Sequence, residues 1–382
     1  MQRRRFLAIV GGGLILAAGG AATGFYATRE PTKALAPWNR AGSAYNEPRM
    51  RALSYAILAP NPHNRQPWMV DLSMPGRVIL HVDTARMLPE TDPFNRQITI
   101  GLGCFLELMA MAAAADGYRV EIALFPKGEN PEKLTAAPVA VATFIKDAGV
   151  AADPLFAQAL DRHSNKEPFD TMRAVSRTAL DELVSVGRHG TTLVATNDGG
   201  QVAALRVLTH EALAVEIETP RTYRESVDLF RIGKREIEAN ADGIDFSGPL
   251  FETLALIGQF DREIALDTQS QMYASGIAAV LENTDTAMAH IWMITEQNTR
   301  GDQIAAGRDW LRVNLAATAL GLGLQPLSQA LQEYPEMAPH HRRAREMLAP
   351  SGGTVQMLGR LGFGPAVPRS PRWPLEAKLV GA

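Results

Sequence analysis

Cysteine is nearly absent from this chain of 382 residues, which contains only Cys104. A single cysteine excludes an intramolecular disulfide and any metal or iron-sulfur site built from several cysteines. Cys104 lies in the apolar run 101–117, where a thiolate would be poorly solvated. We therefore predict that Cys104 is packed in the core and is not catalytic.

Signatures of the common hydrolase and nucleotide-binding sites are absent as well. The sequence has no G-x-S-x-G elbow, no H-E-x-x-H motif, and no glycine-rich Rossmann or P-loop fingerprint. The pair His340 and His341 lies in a charged stretch that is typical of a surface helix. We predict no metal site, and no side chain stands out as a catalytic acid, base or nucleophile.

An excess of positive charge is also missing. The chain has 38 Lys and Arg residues against 41 Asp and Glu residues, a formal net charge of -3. A nucleic-acid partner is therefore not expected. With 46% hydrophobic and 21% charged residues, the chain is apolar enough and long enough to bury a core.

The N-terminal region differs in composition from the rest of the chain. Its only charged residues are Arg3, Arg4 and Arg5, and residues 6–28 carry no charge. A basic start followed by an apolar stretch is typical of export signals, and the consecutive arginines resemble a twin-arginine signal. We expect residues 1–28 to direct export to the periplasm. A general secretory signal and a retained anchor on the outer face of the cytoplasmic membrane stay open, since roughly 20 apolar residues span a bilayer.

Hydrophobic periodicity predicts helices and strands in both halves of the chain, after a linker at residues 29–48. The predicted helices are 49–59, 99–116, one that ends near Asp161, and one from 301 to the glycines at 321 and 323; the predicted strands are 78–82, 118–125, 192–196 and 289–295. The region between 197 and 288 reads as polar and glycine-containing. A helix, a strand and a helix rich in small residues occur in each half, which suggests a duplication.

A possible anion site is the segment RHSNKEPF, residues 162–169. In an extended backbone Arg162, Ser164 and Lys166 project to the same side. Two cations and a hydroxyl suit a phosphate group, because a guanidinium offers a fork of donors and an ammonium offers a point charge. Alternating polar residues are more often a solvated edge, because Lys and Arg are usually exposed, and that alternative stays open.

Two further segments are candidates for ligand contact. The loop LAPNPHNRQPWMV, residues 58–70, concentrates polar side chains between apolar ones, and PRSPRWPLEAKL, residues 368–379, supplies Arg369 and Arg372 in a proline-rich turn. The second segment also reads as a solvated tail. His63 and His163 are the two histidines that lie inside candidate segments.

These segments together resemble the nitroreductase-like flavoproteins. APNPHNRQPW looks like the family's A-P-S-x-x-N-x-Q-P-W loop, RHSNK like its R-x-S-x-[RK] phosphate motif, and PRWPLEAKL like its C-terminal R-[RK]-P-L segment. WLRVNLAATALGLGLQPLSQ is similar to its long helix and flavin-edge loop. The phosphate motif here follows the A-P-N loop by about a hundred residues. This order is similar to the Acg-like branch, whose single chains resemble two fused nitroreductase halves.

The resemblance implies an FMN site shared between the two halves. Its implied cofactor-binding residues are Pro60, Asn61, Asn64 and Gln66 along the flavin, Arg162, His163, Ser164, Lys166 and Arg372 around the phosphate and ribityl chain, and Leu327 and Ser328 at the ring. Two positions depart from the family pattern. Asn61 stands where the loop usually has serine, and Lys166 where this branch usually has arginine, which removes a bidentate contact without loss of charge.

The resemblance also implies fold and activity. We expect an α+β, nitroreductase-like fold with mixed sheets surrounded by helices, in which a first half at 49–155 and a second half at 156–382 form a pseudo-dimer within a monomer. The implied activity is an FMN-dependent oxidoreductase that passes electrons through flavin N5 to a nitroaromatic, quinone-like or similar small-molecule acceptor. The donor is NAD(P)H or, outside the cytoplasm, a quinol or redox protein.

Two other functions stay open at this point. The first is a flavin-binding or flavin-sequestering protein with little turnover, in which residues 235–275 act as a lid over the site. The second is a membrane-tethered structural protein that has lost FMN, although the basic residues of the phosphate motif disfavour it. The expected partners are the small-molecule acceptor and the export machinery.

Overall fold

A computed structural model describes residues 29–380 of the chain, so the predicted export signal at 1–28 lies outside the described residues. Two four-stranded sheets form the framework of the described part. Its strands are β1 (Trp68–Asp71), β2 (Arg77–Val82), β3 (Tyr118–Leu124), β4 (Ala140–Lys146), β5 (Thr192–Thr196), β6 (Phe230–Ile232), β7 (Ile244–Phe246), β8 (Ala289–Thr295), β9 (Gly323–Pro326) and β10 (Thr354–Gly362). The first sheet has the order β1-β2-β4-β3 and the second β5-β8-β10-β9, while β6 and β7 pair separately.

Helices cover and separate the two sheets. They are α1 (Thr32–Arg40), α2 (Pro48–Ala56), α3 (Arg96–Ala115), α4 (Arg177–Ser185), α5 (Gly199–Glu218), α6 (Pro220–Asp228), α7 (Gly233–Ala239), α8 (Pro249–Leu256), α9 (Arg262–Leu266), α10 (Gln271–Thr284), α11 (Arg300–Ala319) and α12 (Ala338–Leu348). The α+β class predicted from the sequence is confirmed. The four predicted strands and the predicted helices that became α2, α3 and α11 are confirmed within a few residues at their ends.

Both sheets are antiparallel along their ladders, whereas the prediction is of mixed sheets. Parallel pairing occurs in the described residues between β6 and β7 and at one bridge, Val70 with Leu379. Val380 then donates its backbone N–H to the Val70 carbonyl at 2.8 Å. Leu379 and Val380 are thereby docked on β1, an edge strand of the first sheet that lies near the start of the described residues.

Helices α3 and α11 pack against each other in the core. Gly103 and Gly307 allow this close approach: a Cβ on Gly307 would lie 1.9 Å from the carbonyl oxygen of Ile100. Helix α3 is long and apolar enough to cross a membrane, but 83% of its most apolar window is buried inside the protein. Its hydrophobic length reflects its place in the core, and Cys104, 1% exposed, donates Sγ–H to the Gly307 carbonyl as a packed residue.

We expect alanine at Gly307 to be destabilising because the new methyl group overlaps backbone that cannot move without separating the helices. G307A should lower the free energy of unfolding by about 1–3 kcal/mol, the usual cost of overpacking. Urea denaturation measures this change. G301A is the matched control in the same helix, since the nearest atom to a Cβ there is Thr299 Oγ1 at 3.6 Å. Equal stability of G307A and G301A would contradict the close contact.

Three segments differ from the sequence prediction. The predicted linker at 29–48 contains α1, whose Trp38 is buried and donates Nε1–H to the Ser370 carbonyl at 2.8 Å. The helix expected to end near Asp161 is a short 3₁₀ turn, Pro154–Gln158, and the polar region after β5 is largely helical. Tertiary contact with distant segments stabilises α1, and such contact leaves little trace in a local pattern.

Candidate functional site

The loop between α2 and β1 has an unusual backbone. His63, Asn64 and Gln66 all have positive φ, at 46°, 50° and 49°. Asparagine tolerates the left-handed region, whereas histidine and glutamine adopt it at a cost of roughly 1–2 kcal/mol each. Strained backbone of this kind persists where surrounding contacts determine it, so the contacts that hold this loop are informative.

Two buried arginines from the second half converge on the start of the loop. Arg162 donates Nη2–H to the Leu58 carbonyl at 3.0 Å, and Arg372 donates Nη2–H to the same carbonyl at 3.1 Å. Arg372 also donates Nη1–H to Asn64 Oδ1 at 2.7 Å. Both guanidiniums are 3% exposed. The structure therefore brings together the phosphate motif, the C-terminal segment and the A-P-N loop.

The two guanidiniums have no acidic partner within 4 Å in residues 29–380, although a buried charge ordinarily requires one. Their Nε atoms are buried and make no hydrogen bond there, and the same holds for His63 Nδ1. Burial lowers the pKa of Arg162 to about 10, and burial together with the charge of Arg162 lowers the pKa of Arg372 to about 9. Both remain protonated at neutral pH. No carboxylate bonds to these two guanidiniums, and their Nε donors are unused, which suits an anion.

The amides of the loop are held by the protein itself. Gln66 is fully buried, donates Nε2–H to the Ala241 carbonyl at 2.6 Å and accepts from the Trp373 backbone at 2.9 Å. Asn61 accepts from the Gln66 backbone at 2.7 Å, so it orders the loop internally. Pro60 is half-buried. Asn61 and Gln66 thus fix the loop's shape through these bonds, and Lys378 adds a bond from Nζ to the Gln66 carbonyl at 2.7 Å.

The segment 162–169 is irregular, and its polar side chains have different environments. Arg162 is buried, Ser164 is half-buried and Lys166 is exposed. The Lys166 charge nevertheless helps to lower the pKa of His63 to about 4, after burial, so Lys166 lies near the loop and His63 is neutral at pH 7. His163 contacts the Asp161 carbonyl through Nδ1 at 2.7 Å, and no hydrogen bond joins it to the loop in the described chain.

The candidate flavin-edge residues follow β9 and are buried. Leu327 donates its backbone N–H to the Leu358 carbonyl at 2.8 Å, and Ser328 Oγ lies 3.6 Å from Met357 Sδ. These contacts tie the loop to β10. Leu327 and Ser328 directly follow β9, and the phosphate motif lies beside the same strand, since Asn165 donates its backbone N–H to the Leu324 carbonyl at 2.9 Å.

A buried carboxyl that the sequence does not indicate, Glu216, lies beside the segment that follows β9. Gln332 donates Nε2–H to Glu216 Oε2 at 2.5 Å, and burial raises the pKa of Glu216 to about 7. The Lys166 charge opposes that rise, so Lys166, Glu216 and His63 are electrostatic neighbours. The hydroxyl of Tyr334, also nearby, is buried without a hydrogen-bond partner in residues 29–380. Nothing in the amphipathic pattern around Glu216 distinguishes it in the sequence.

Residues 241–247 cover the loop, within the segment predicted as a lid. Gly243 donates its backbone N–H to the Asn64 carbonyl at 3.2 Å, and Asp242 pairs with Arg65 at 2.9 Å and with Arg86. Asp245, on β7, has a pKa raised by burial and opposed by the charges of Lys166 and Arg372. The carboxyl of Asp245, in the covering segment 241–247, is thus close enough to Lys166 and Arg372 for their charges to act on its pKa. Asp245 lies within residues 235–275, the segment considered above as a lid.

Comparison with known proteins supports the resemblance seen in the motifs. No family model matches the chain. Two proteins of Mycobacterium tuberculosis strain H37Rv, both named "Putative NAD(P)H nitroreductase", are similar to it. The protein acg is 30% identical over 132 residues, which cover 34% of this chain and 40% of acg. The protein Rv3131 is 23% identical over 339 residues, which cover 85% of this chain and 91% of Rv3131. The chain therefore matches less than half the length of acg and most of Rv3131.

Solved structures show weaker likeness. The FMN-dependent nitroreductase NfnB from Mycobacterium smegmatis, in complex with NADPH, is 16% identical with a TM-score of 0.34, and covers 57% of this chain and 92% of its own. A nitroreductase-like family protein from Bacillus cereus is 13% identical with a TM-score of 0.33, and covers 59% and 94%. At these TM-scores the likeness supports no statement about function.

Proposed function

We propose that the chain is an FMN-dependent oxidoreductase of the nitroreductase-like kind. The observation that carries this proposal is the pair of buried guanidiniums, Arg162 and Arg372, which meet at the Leu58 carbonyl without an acidic partner in the described residues and with unused Nε donors. A phosphate monoester would supply the missing negative charge and accept those donors. The names of the mycobacterial relatives support the same assignment.

The residues present fit the cofactor. Arg162 and Arg372 would hold the phosphate, with Lys166 adding charge from the exposed side. The loop shaped by Asn61 and Gln66 would form one wall, and Leu327 and Ser328 the other. Bound FMN would supply reversible two-electron chemistry, which accounts for a site without an evident nucleophile.

The chain's own contribution is to bind, orient and exclude water. Residues 241–247 cover the loop through the bonds of Ala241 and Gly243. Burial lowers the pKa of His63 to about 4 and raises the pKa of Glu216 to about 7, so His63 is neutral at pH 7 and Glu216 can hold or release a proton there. The acceptors we propose are nitroaromatic or quinone-like small molecules.

We also propose an exported protein, which bears on the electron donor. The uncharged stretch at 6–28 after three arginines supports export to the periplasm or to the outer face of the cytoplasmic membrane. Free nicotinamide nucleotides are not expected there, so we favour a quinol or redox protein as donor over NAD(P)H. Cell fractionation tests this proposal: protein found solely in the cytoplasm and turned over there by NADPH contradicts it.

A flavin-sequestering protein with little turnover is the second candidate function. The observation that favours it is the cover at 241–247, whose bonds to Gln66 and Asn64 close over the loop from the second half. A cover with these bonds and a carboxylate beside the cationic cluster would restrict access to a bound flavin.

One experiment separates the two candidates. The full-length protein is purified from its native compartment, its visible spectrum is recorded, and NADH, NADPH and a quinol are added without oxygen. We expect a yellow protein that one of these donors bleaches. A yellow protein that bleaches with light but with none of the donors supports sequestration, and a colourless protein unable to take up FMN overturns both candidates.

A further inference from the structure

Helix α1 supplies an aromatic neighbour to Arg372, one of the two arginines of the proposed phosphate site. The guanidinium carbon of Arg372 lies over the ring of Trp38, 5.4 Å from the ring centroid. The Arg372 backbone N–H also donates to the Ala34 carbonyl at 2.8 Å. A cation within about 6 Å of an indole ring is attracted to its face, most strongly where water is excluded. Trp38 is 2% exposed and Arg372 is 3% exposed, so this contact excludes water.

Trp38 is itself fixed in position on α1. Its Nε1–H donates to the Ser370 carbonyl at 2.8 Å. One turn earlier in α1, Ala34 packs with Ile237 of α7 and Ala241 of the cover in one buried cluster. The ring is therefore held by the C-terminal segment, while the helix that carries it is held by the cover.

An aromatic neighbour suits a phosphate-binding arginine better than a carboxylate does. A bonded carboxylate takes up N–H donors and repels an incoming phosphate, whereas attraction to a ring face does neither. In residues 29–380 no carboxylate bonds to Arg372. Its Nη1 and Nη2 donate to Asn64 and to the Leu58 carbonyl, and its buried Nε–H has no acceptor there. The ring contact thus holds the cation while one donor stays available.

We propose that Trp38 is a positioning residue for the phosphate site: its ring holds the Arg372 guanidinium in the orientation that leaves Nε–H available to the anion. This inference rests on the proposed FMN function, because it names a residue that prepares the site for the phosphate. Without the ring the guanidinium gains freedom to rotate, and binding of the anion must then order it again at a cost in affinity.

The simpler alternative is that Trp38 only fills space and fixes α1. Arg369 provides the comparison that separates the two roles. Its guanidinium carbon also lies 5.4 Å from the centroid of the Trp38 ring, but the residue is exposed and its Nη1 bonds to Asn39 at 3.4 Å. Loss of the ring removes a neighbour from both arginines. Positioning predicts that only the contact with Arg372 matters for the anion.

A double-mutant cycle on the flavin-free full chain tests the proposal. Calorimetry measures the dissociation constants of FMN and of inorganic phosphate. W38L should weaken FMN binding about 3- to 30-fold, the range expected for loss of a cation–ring contact. In an R372M background W38L should have no further effect, and Arg162 keeps binding measurable there. In the control background R369M, W38L should weaken binding as much as it does in the wild type. W38F, which loses the same Nε1–H bond but keeps a ring, should bind FMN more tightly than W38L.

Several results would overturn the proposal. Equal losses from W38L in the wild-type and R372M backgrounds, or equal affinities of W38L and W38F, would show that Trp38 only fills space. A wild type that binds FMN, is weakened by R372M and is unaffected by W38L overturns this inference alone. A wild type that binds neither FMN nor phosphate overturns the proposed function and the inference with it.

Urea denaturation of each flavin-free variant shows whether it is folded. If W38L is unfolded, a fluorinated tryptophan at position 38 takes its place, because fluorine weakens the attraction of the ring face for a cation and keeps the ring's shape and N–H. This protein should bind FMN more weakly than the wild type, and an unchanged affinity overturns the proposal.

Discussion

Replacing Arg162 by methionine (R162M) should weaken FMN binding about 10- to 100-fold while leaving the flavin-free protein at least as stable as the wild type. The loss of affinity follows from charge-assisted hydrogen bonds to phosphate, which contribute about 1.5–3 kcal/mol. The unchanged stability follows from the environment of Arg162, whose guanidinium is buried, makes one hydrogen bond to the Leu58 carbonyl and has no acidic partner in residues 29–380. An uncompensated buried charge is costly, so an apolar side chain of similar size removes that cost.

Arg360 provides the matched control, because it is equally buried but fully bonded. Its guanidinium donates to Gln325 Oε1 at 2.5 Å, to Thr286 Oγ1 at 2.8 Å and to the Glu167 carbonyl at 2.7 Å. R360M should therefore lower the stability of the flavin-free protein, since three acceptors lose their donor. Fluorescence titration with FMN and urea denaturation without it measure the two effects. If R162M destabilises the flavin-free protein as much as R360M does, Arg162 is a structural residue and the phosphate site is wrong.

The second large effect concerns Glu107, at the contact of α3 with α11. Its carboxylate lies 2.8 Å from Arg308 Nε, 2.9 Å from Arg312 Nη1 and 2.9 Å from His189 Nε2. Removing one member of a buried ionic cluster leaves the others uncompensated. We expect E107Q to lower the free energy of unfolding by about 3–5 kcal/mol at pH 7. E121Q is the control, since Glu121 is an exposed carboxylate paired with Arg119, and its stability should match the wild type.

The effect of Glu107 should depend on pH in a defined direction. Burial alone would raise the pKa of Glu107, but the hydrogen bonds from His189 and Arg312 and the charge of Arg308 outweigh it and lower the pKa to about 2. A carboxyl with a lowered pKa stabilises the fold above its unfolded value and loses that contribution as the pH falls towards the folded value. The advantage of the wild type over E107Q should therefore shrink by about 3 kcal/mol between roughly pH 4.5 and pH 2. Denaturation of both proteins at pH 7, pH 4.5 and pH 2 measures this, and a constant difference would contradict it.

The elements that the sequence predicts correctly are those with a strong local pattern. Strand β8 is a mostly apolar run, which predicts a strand buried on both faces. The structure places it between β5 and β10, and its residues are buried. Helix α11 ends just before Gly321, as its sequence predicts, and the structure shows that it begins at a capping box between Thr299 and Asp302. The resemblance of the motifs placed Arg162, Arg372 and the A-P-N loop at one site, and the structure joins these three through the Leu58 carbonyl.

Other features depend on contacts between residues far apart in the chain. Helix α1 is stabilised by Trp38 against Ser370, and Glu216 becomes a buried carboxyl only when α5 packs on Gln332. The sequence alone determined which residues are charged, apolar or able to turn, because those are properties of single side chains and their neighbours. Only the tertiary structure decided which charges are paired, and it left Arg162 and Arg372 without an acidic partner in the described residues. Pairing and burial are sums over distant contacts, so no local pattern carries them.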